Sequence, residues 1–392
     1  MFDSTRFSLR FALRFALRFA FRFAFRVSMV VALVFCSGFI NGAVMADDAA
    51  EEQIRVLIID GQNNHNDWPK ITAMLKQYLE DNGKFTVDVE RTRFTFKGDK
   101  WLKEFSLDDG KEYKSGKRAK TDPEFKPDFS KYDVVVSNFG HGAADWPAET
   151  QSAFTKFIRE GGGLVSIHAA DNSFPGWKEY NEMIGLGGWG NRNENSGPYV
   201  YYNEDGEVVR DQSKGRGGNH GPQHEFSLVV RDAEHPITKG LPKEFLHAKD
   251  ELYEKLRGPA LNLNILATAF AAKKYKGSGR HEPTLMSIEF GEGRIFHSTL
   301  GHATYSCECV AFITTFLRGT QWAATGEVTI EVPDDFPSAD KSSSREFKLL
   351  STGETASEKP VMKEKPMKLK EKHLKMEQKQ LKMEKKFEKA GS

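Results

Sequence analysis

The sequence predicts an α/β protein built on a mostly parallel central sheet with helices on both faces. Three observations predict it. Short apolar runs recur along residues 54–337: Ile54-Arg-Val-Leu-Ile-Ile-Asp60, Tyr132-Asp-Val-Val-Val-Ser-Asn138 and Leu164-Val-Ser-Ile-His168. Helical stretches separate them, and near-continuous apolar runs of this length belong to parallel strands buried on both faces. The helix signals repeat as well. Asp67, Trp68-Pro69 and a Gly83 stop follow the first run, and Asp145, Trp146-Pro147 and Gly161 follow the second. A short polar N-cap, Pro in the first turn and Gly past the end are what helix termini need.

Further strands are expected over residues 226–231, 263–269, 284–289 and 294–299. The last two are joined by Gly291-Glu-Gly293, a hairpin signal. A final helix is expected from about residue 305 to 322. Two insertions interrupt the plan. Residues 93–130 are Lys-rich and polar. Residues 185–222 carry ten Gly among 38 residues and several Asn; that is too long for a neutral connection, and such a loop is expected to be a functional lid or else disordered. Trp189, Tyr199, Tyr201 and Tyr202 in that loop suit stacking on a pyranose face, or else serve as ordinary loop anchors.

Composition removes several function classes. The chain has 392 residues, 28% of them charged, with three Cys and a net charge of +1. It is too long for a disulfide-stapled miniprotein, too polar for a polytopic membrane protein and too apolar to be wholly disordered. The near-neutral total hides an asymmetry. Residues 1–46 hold six Arg and one Asp, and residues 358–392 hold twelve Lys and six Glu, which leaves residues 47–357 at −10. An acidic body gives no reason to expect a nucleic-acid partner.

The two ends read differently from the body. Arg recurs at 6, 10, 14, 18, 22 and 26, an apolar stretch follows over 27–40, and small residues lead to Ala46. This is the layout of a secretory signal peptide over residues 1–46, with a core too short to span a bilayer comfortably. A basic amphipathic helix lying on a membrane is the competing reading, and it does not account for the Ala46 site. Cys36 has bulky neighbours and does not suit lipidation. Export to the periplasm or the extracellular space follows, with no transmembrane segment left after cleavage. The remaining Cys307 and Cys309 sit two apart on an expected helix, cannot easily bridge, and read as packing. Residues 338–392 read as a linker and a Lys/Glu/Met-rich tail, either solvated or adhering to an anionic surface.

Ligands of an open parallel sheet bind beyond the carboxyl ends of its strands. Asp60, Asn63 and His65 follow the first strand there, His141 the second, His168 and Asp171 the third, and His302 the last. Four of the eleven His follow four separate strands at one edge, which predicts a shared polar site. His220, His224 and Glu225 end the Gly-rich loop, and Asp250, Glu251 and Tyr253 lie in a turn-rich stretch; both groups could close that site. His235, His247, His281 and His297 read as structural. His168, His302 and Asp171 are therefore the candidate catalytic residues. Asp60, Asn63, His65, His141, His224, Asp250, Glu251 and Trp189 are the candidate substrate-binding ones. A divalent metal such as zinc would fall to His65, His168 and His302, although a spaced metal motif such as His-Glu-x-x-His is absent. No Walker sequence or Gly-x-Gly-x-x-Gly turn points to nucleotides.

The segments Gly161-Gly-Gly-Leu-Val-Ser-Ile-His168-Ala-Ala, His235-Pro-Ile-Thr-Lys-Gly-Leu, Asp250-Glu-Leu-Tyr, Gly293-Arg-Ile-Phe-His-Ser-Thr-Leu-Gly-His302 and Gln321-Trp-Ala-Ala resemble the trehalose-utilisation (ThuA-like) family. The resemblance spans about residues 54–325 and frames a domain over 53–337. It implies a flavodoxin-like, class I glutamine amidotransferase-like three-layer sandwich and a small-molecule carbohydrate as substrate, including oxidised or keto-disaccharides. Amidotransferases carry a cysteine on the turn where this chain carries His168, so Cys–His amide hydrolysis is not expected. Ser166 and Ser173 do not follow the strand end, and a serine nucleophile is weakly supported. Three functions remain: a carbohydrate-processing enzyme using acid–base or metal-assisted chemistry, a non-catalytic carbohydrate-binding protein, and a metal-dependent ester or amide hydrolase.

Overall fold

In the computed structural model, which describes residues 53–349, nine longer strands and three short ones form a twelve-stranded sheet. The longer strands are β1 (Ile54–Gln62), β2 (Phe85–Phe96), β3 (Val134–Ser137), β4 (Gly163–Ile167), β5 (His224–Val230), β6 (Glu244–Asp250), β7 (Leu263–Phe270), β8 (His281–Phe290) and β9 (Gly293–Ser298). Their spatial order is β6-β5-β7-β8-β9-β4-β3-β1-β2, with Lys114–Gly116 on the far edge. From β9 to that edge every pairing is parallel. From β9 to β6 every pairing is antiparallel.

The parallel half is buried on both faces, as its apolar runs require. On β1, Val56 and Ile58 face one core and Leu57 and Ile59 the other. Helices α1 (Trp68–Asn82) and α4 (Val310–Thr325) cover the first face through Ile71, Met74, Leu75, Phe312 and Phe316. Helices α2 (Ala148–Arg159) and α3 (Lys178–Ile184) cover the second through Phe154, Ile158, Tyr180 and Met183. This is the expected three-layer sandwich. Gly83 ends α1 in the left-handed region as predicted, and Gly291-Glu292 turns β8 into β9.

Several expectations need correction. β2 and β6 are strands that the sequence did not announce: β2 alternates polar and apolar residues beside the sheet edge, and β6 begins with Glu and carries His and Lys. The final helix is broken at residues 308–309 into Thr304–Cys307 and α4. Asp67 precedes α1 but its side chain accepts the Thr304 N–H at 3.2 Å instead of capping the helix. Residues 338–349, the described part of the expected linker, contact the domain. Val310 N–H bonds Ser343 O at 2.9 Å, Arg345 pairs with Asp335, and Phe347 packs edge-on against Tyr78. The signal-peptide and tail expectations lie outside the described residues. Among the described residues no helix is long and apolar enough to cross a membrane.

Loop 185–222 is a pinned structure. It contains a hairpin, Tyr199–Tyr202 against Val208–Asp211, and Asn219–His220 pairs with Tyr253–Glu254. Arg257 bonds the carbonyls of Gly197, Ser213 and Gly215, and Arg192 those of Gly188 and Ser173.

Candidate functional site

β1, β3, β4, β6 and β9 all run in one direction, so their carboxyl ends meet at one edge of the sheet. His65, His168 and His302 converge there. Their ring centroids are 5.0 Å apart for His65–His168, 4.4 Å for His65–His302 and 5.3 Å for His168–His302. Glu251 follows β6 and faces them: its carboxylate lies 3.7 Å from His168 Nε2, 3.6 Å from His302 Nε2 and 3.1 Å from His220 Nδ1. The potential ligand atoms of His65, Glu251 and His302 all lie within 4.8 Å of one another.

Local sequence explains each placement. His168 sits on the sharp turn after β4 with φ +43, a left-handed conformation that costs a non-glycine residue about 1–2 kcal/mol. A 2.7 Å bond from Nδ1 to Thr299 O and the Tyr253 ring at 4.2 Å hold it there. His302 follows Gly301, whose φ of +102 only glycine adopts readily and whose added Cβ would stand 2.8 Å from the Phe312 ring. That turn points two backbone N–H groups at Asp250, which accepts from Gly301 at 2.8 Å and His302 at 3.1 Å. His65 is set by Asn63. The Asn63 amide donates to Asn138 O and Phe139 O, and its Oδ1 accepts the His65 N–H at 2.9 Å.

The electrostatics follow from burial and crowding. Burial, then the neighbouring His168 and His302, drives His65 down to about 2. Burial and His302 take His168 down to about 3. His65 and His168 are thus both neutral imidazoles with a lone pair to offer near pH 7. Burial raises the Glu251 carboxyl, against the pull of His302 and His220. Asp250 beneath it behaves oppositely: burial would raise it, but the His247 hydrogen bond at 2.8 Å and its charge hold it well below the usual carboxylate range. Burial also disfavours charge on His247, yet Cys309 and Asp250 lift it to about 10.

Several sequence candidates belong to the frame instead. Asp60 is not in the imidazole cluster. It is fully buried, paired with Arg91 through two 2.8 Å bonds and with Thr72 Oγ1 at 2.7 Å. Asp171 is not in the imidazole cluster; its buried carboxylate faces His297 at 3.3 Å. Asn63 and Asp250 position neighbours, being saturated by backbone partners. His141 is exposed and is anchored by its N–H to Asn64 Oδ1. His224 lies aside, stacked 3.7 Å from the Tyr275 ring in a different depression lined by Phe226, Glu244 and Phe270. In the Gly-rich loop Arg257, Arg280 and Arg231 stack on Tyr199, Tyr201 and Tyr202, which makes these tyrosines anchors. Trp189 alone among the four reaches the site, 4.9 Å from Tyr253 and 5.9 Å from His220. Gln223 was missed; its amide lies 3.2 Å from His302 Nδ1 and its Oε1 meets the Tyr305 hydroxyl. The run His220-Gly-Pro-Gln223 was its only signal. Both described cysteines are buried and free.

The trehalose-utilisation (ThuA) family matches residues 100–323. A crystal structure of a ThuA-like protein from Parabacteroides merdae is 43% identical, covering 75% of this chain and 98% of its own, with a TM-score of 0.66. The chain belongs to the ThuA family. A second ThuA-like protein, from Bacteroides uniformis, is 17% identical over 72% of this chain and 98% of its own, with a TM-score of 0.40. No curated protein matches the chain. As a ThuA protein the chain has a role related to carbohydrate utilisation on a glutamine amidotransferase-like fold. Its departure from amidotransferases is His168 at the elbow, with the nearest thiols buried.

Proposed function

We propose that this ThuA protein processes a carbohydrate by acid–base chemistry at the strand-end site. The observation that carries the proposal is the convergence of three imidazoles and Glu251 from four strand ends, beside the Trp189–Tyr253 wall. A carboxylate that accepts from Nδ1 fixes an imidazole so that Nε2 can take a proton. Glu251 lies 3.1 Å from His220 Nδ1, which also meets Gly221 O at 2.9 Å, and the His220 side chain is 41% exposed and so open to a substrate. His168 and His302 form the floor, and Trp189 offers a ring face.

An oxidised sugar suits such a site. A carbonyl acidifies the neighbouring C–H, so an imidazole can remove that proton without a covalent nucleophile. The electron pair becomes the new C=C bond, the glycosidic C–O bond breaks, and the departing oxygen is protonated. Export forms part of the same proposal and rests on residues 1–46; a chain recovered from expressing cells should then begin at Asp47.

Incubation with disaccharides and their keto forms, followed by chromatography, tests the function. Glu251→Gln and His220→Ala should each cut turnover by about 100-fold or more. Unchanged turnover in both would sink the proposal, and binding without conversion would favour a carbohydrate-binding protein.

A further inference from the structure

We infer that the floor of this site is a binding site for a divalent transition metal of the zinc class, held by His65, Glu251 and His302 with His168 Nε2 as a fourth ligand. The inference deepens the proposed function by naming a cofactor, but it stands on geometry that involves no sugar.

The donor set comes first. Three imidazoles and one carboxylate are the ligands zinc and its neighbours take, at about 2.0–2.2 Å from the metal. The ligand atoms of His65, Glu251 and His302 lie within 4.8 Å of one another, close enough for rotamer adjustments to bring all three onto one ion.

His168 supplies an independent observation. Thr299 O can only accept, so the 2.7 Å contact puts the proton of neutral His168 on Nδ1 and the lone pair on Nε2. Nε2 is buried and has no hydrogen-bond partner. It points at Glu251 Oε2, 3.7 Å away, which is another acceptor when ionised. Two lone pairs facing each other in a buried site repel unless a cation lies between them. The tautomer lock by a backbone carbonyl is also the outer-shell contact that metal-ligating histidines usually carry.

The surrounding shell is built to match. Asp250 accepts the N–H groups of Glu251, Gly301 and His302, and so fixes the backbone of two proposed ligands at once. Asn63 fixes His65. The four ligands come from the ends of β1, β4, β6 and β9, so a bound ion would tie together both halves of the sheet.

The test is titration of the chelator-stripped full chain with Zn2+ or Mn2+, read by elemental analysis and thermal unfolding. One equivalent should bind, with a Tm rise of about 5 °C at saturating metal. Glu251→Gln and His302→Gln should each weaken binding by about tenfold or more, while His141→Ala leaves it unchanged. Co2+ added to the unmodified chain should give the intense visible absorption of a four-coordinate nitrogen–oxygen site, a readout that does not depend on any variant folding. No stoichiometric metal, a Co2+ spectrum like that of the aqueous ion, or full binding by the Glu251→Gln/His302→Gln double variant would overturn the inference. A metal-loaded chain that turns over no sugar would count against the proposed function alone. A metal-free chain that turns over sugar would count against the metal alone.

Discussion

Carboxylates and histidines near the carboxyl ends of this sheet fall into two groups that the sequence writes in the same letters. One group is saturated. Asp60 has Arg91 and Thr72, and Asp250 has His247 and three backbone N–H groups; Asp171 stands between, with one oxygen facing His297 and the other without a partner. The other group is not. Glu251, His65, His168 and His302 face one another with acceptors opposed to lone pairs and an unpartnered nitrogen among them. Buried polar groups are normally satisfied, so under the proposed function the saturated set serves as frame and the unsaturated set as site. Both sets lie on the same strands, within a few residues of each other.

The largest effect should come from breaking the saturated set. Asp60→Ala leaves the Arg91 charge buried without its partner, and the expected loss is about 3–5 kcal/mol of stability by denaturant titration. A near-unchanged midpoint would place Asp60 with the functional groups after all. Asp250→Asn weakens several charge-assisted hydrogen bonds at once. It should cost about 1.5–3 kcal/mol and also impair the site, because His302 loses its backbone anchor.

The unsaturated set should show the opposite signature. Under the proposed function, Glu251→Gln is expected to leave stability within about 0.5 kcal/mol of the parent while cutting turnover by about 100-fold or more, since a catalytic site holds its groups at a cost to the fold. A stability loss as large as that of Asp60→Ala would erase the distinction between the two groups. Trp189→Ala should weaken sugar binding by about fivefold, the worth of one ring contact, as read by calorimetry.

An exposed pair sets the lower end of the scale. The Asp335 carboxyl is held below its ordinary range, first by its hydrogen bond from Arg345 and then by the charge of that side chain, against a partial burial that raises it. A depressed folded-state pKa contributes stability above the unfolded value of about 3.9 and loses it as pH falls through the folded one. Both side chains are over 40% exposed, so screening keeps the contribution under about 1 kcal/mol. Comparing Asp335→Asn with the parent at pH 7 and below pH 3 measures it, and the difference should vanish at the acid end.

Much of this was legible in residues. The apolar runs at 54–60, 132–138 and 164–168 became β1, β3 and β4, because strands buried on both faces need apolar side chains at every position. His65, His168 and His302 were legible as a shared edge because each follows a strand in an α/β pattern. β6 was not legible: its seven residues Glu-Phe-Leu-His-Ala-Lys-Asp mix polar and apolar side chains in a way no single exposed face explains. Glu244 and Lys249 are exposed, whereas His247 and Asp250 are buried against each other, with Cys309 from the distant final helix beside His247. That omission made Asp250 and Glu251 look like turn residues.

The sequence by itself determined the layered α/β architecture and the edge at which polar residues collect, since these rest on periodicity and on strand-following positions; the family was legible separately, through the resemblance carried by its motifs. Only the tertiary structure decided which polar residues find saturating partners and which are left facing one another. Asp60 and Glu251 are both acids at strand ends. What separates them is whether a distant residue, Arg91 in one case and no saturating donor in the other, arrives to complete their hydrogen bonds, and that depends on strand order and the curl that brings β6 to β9.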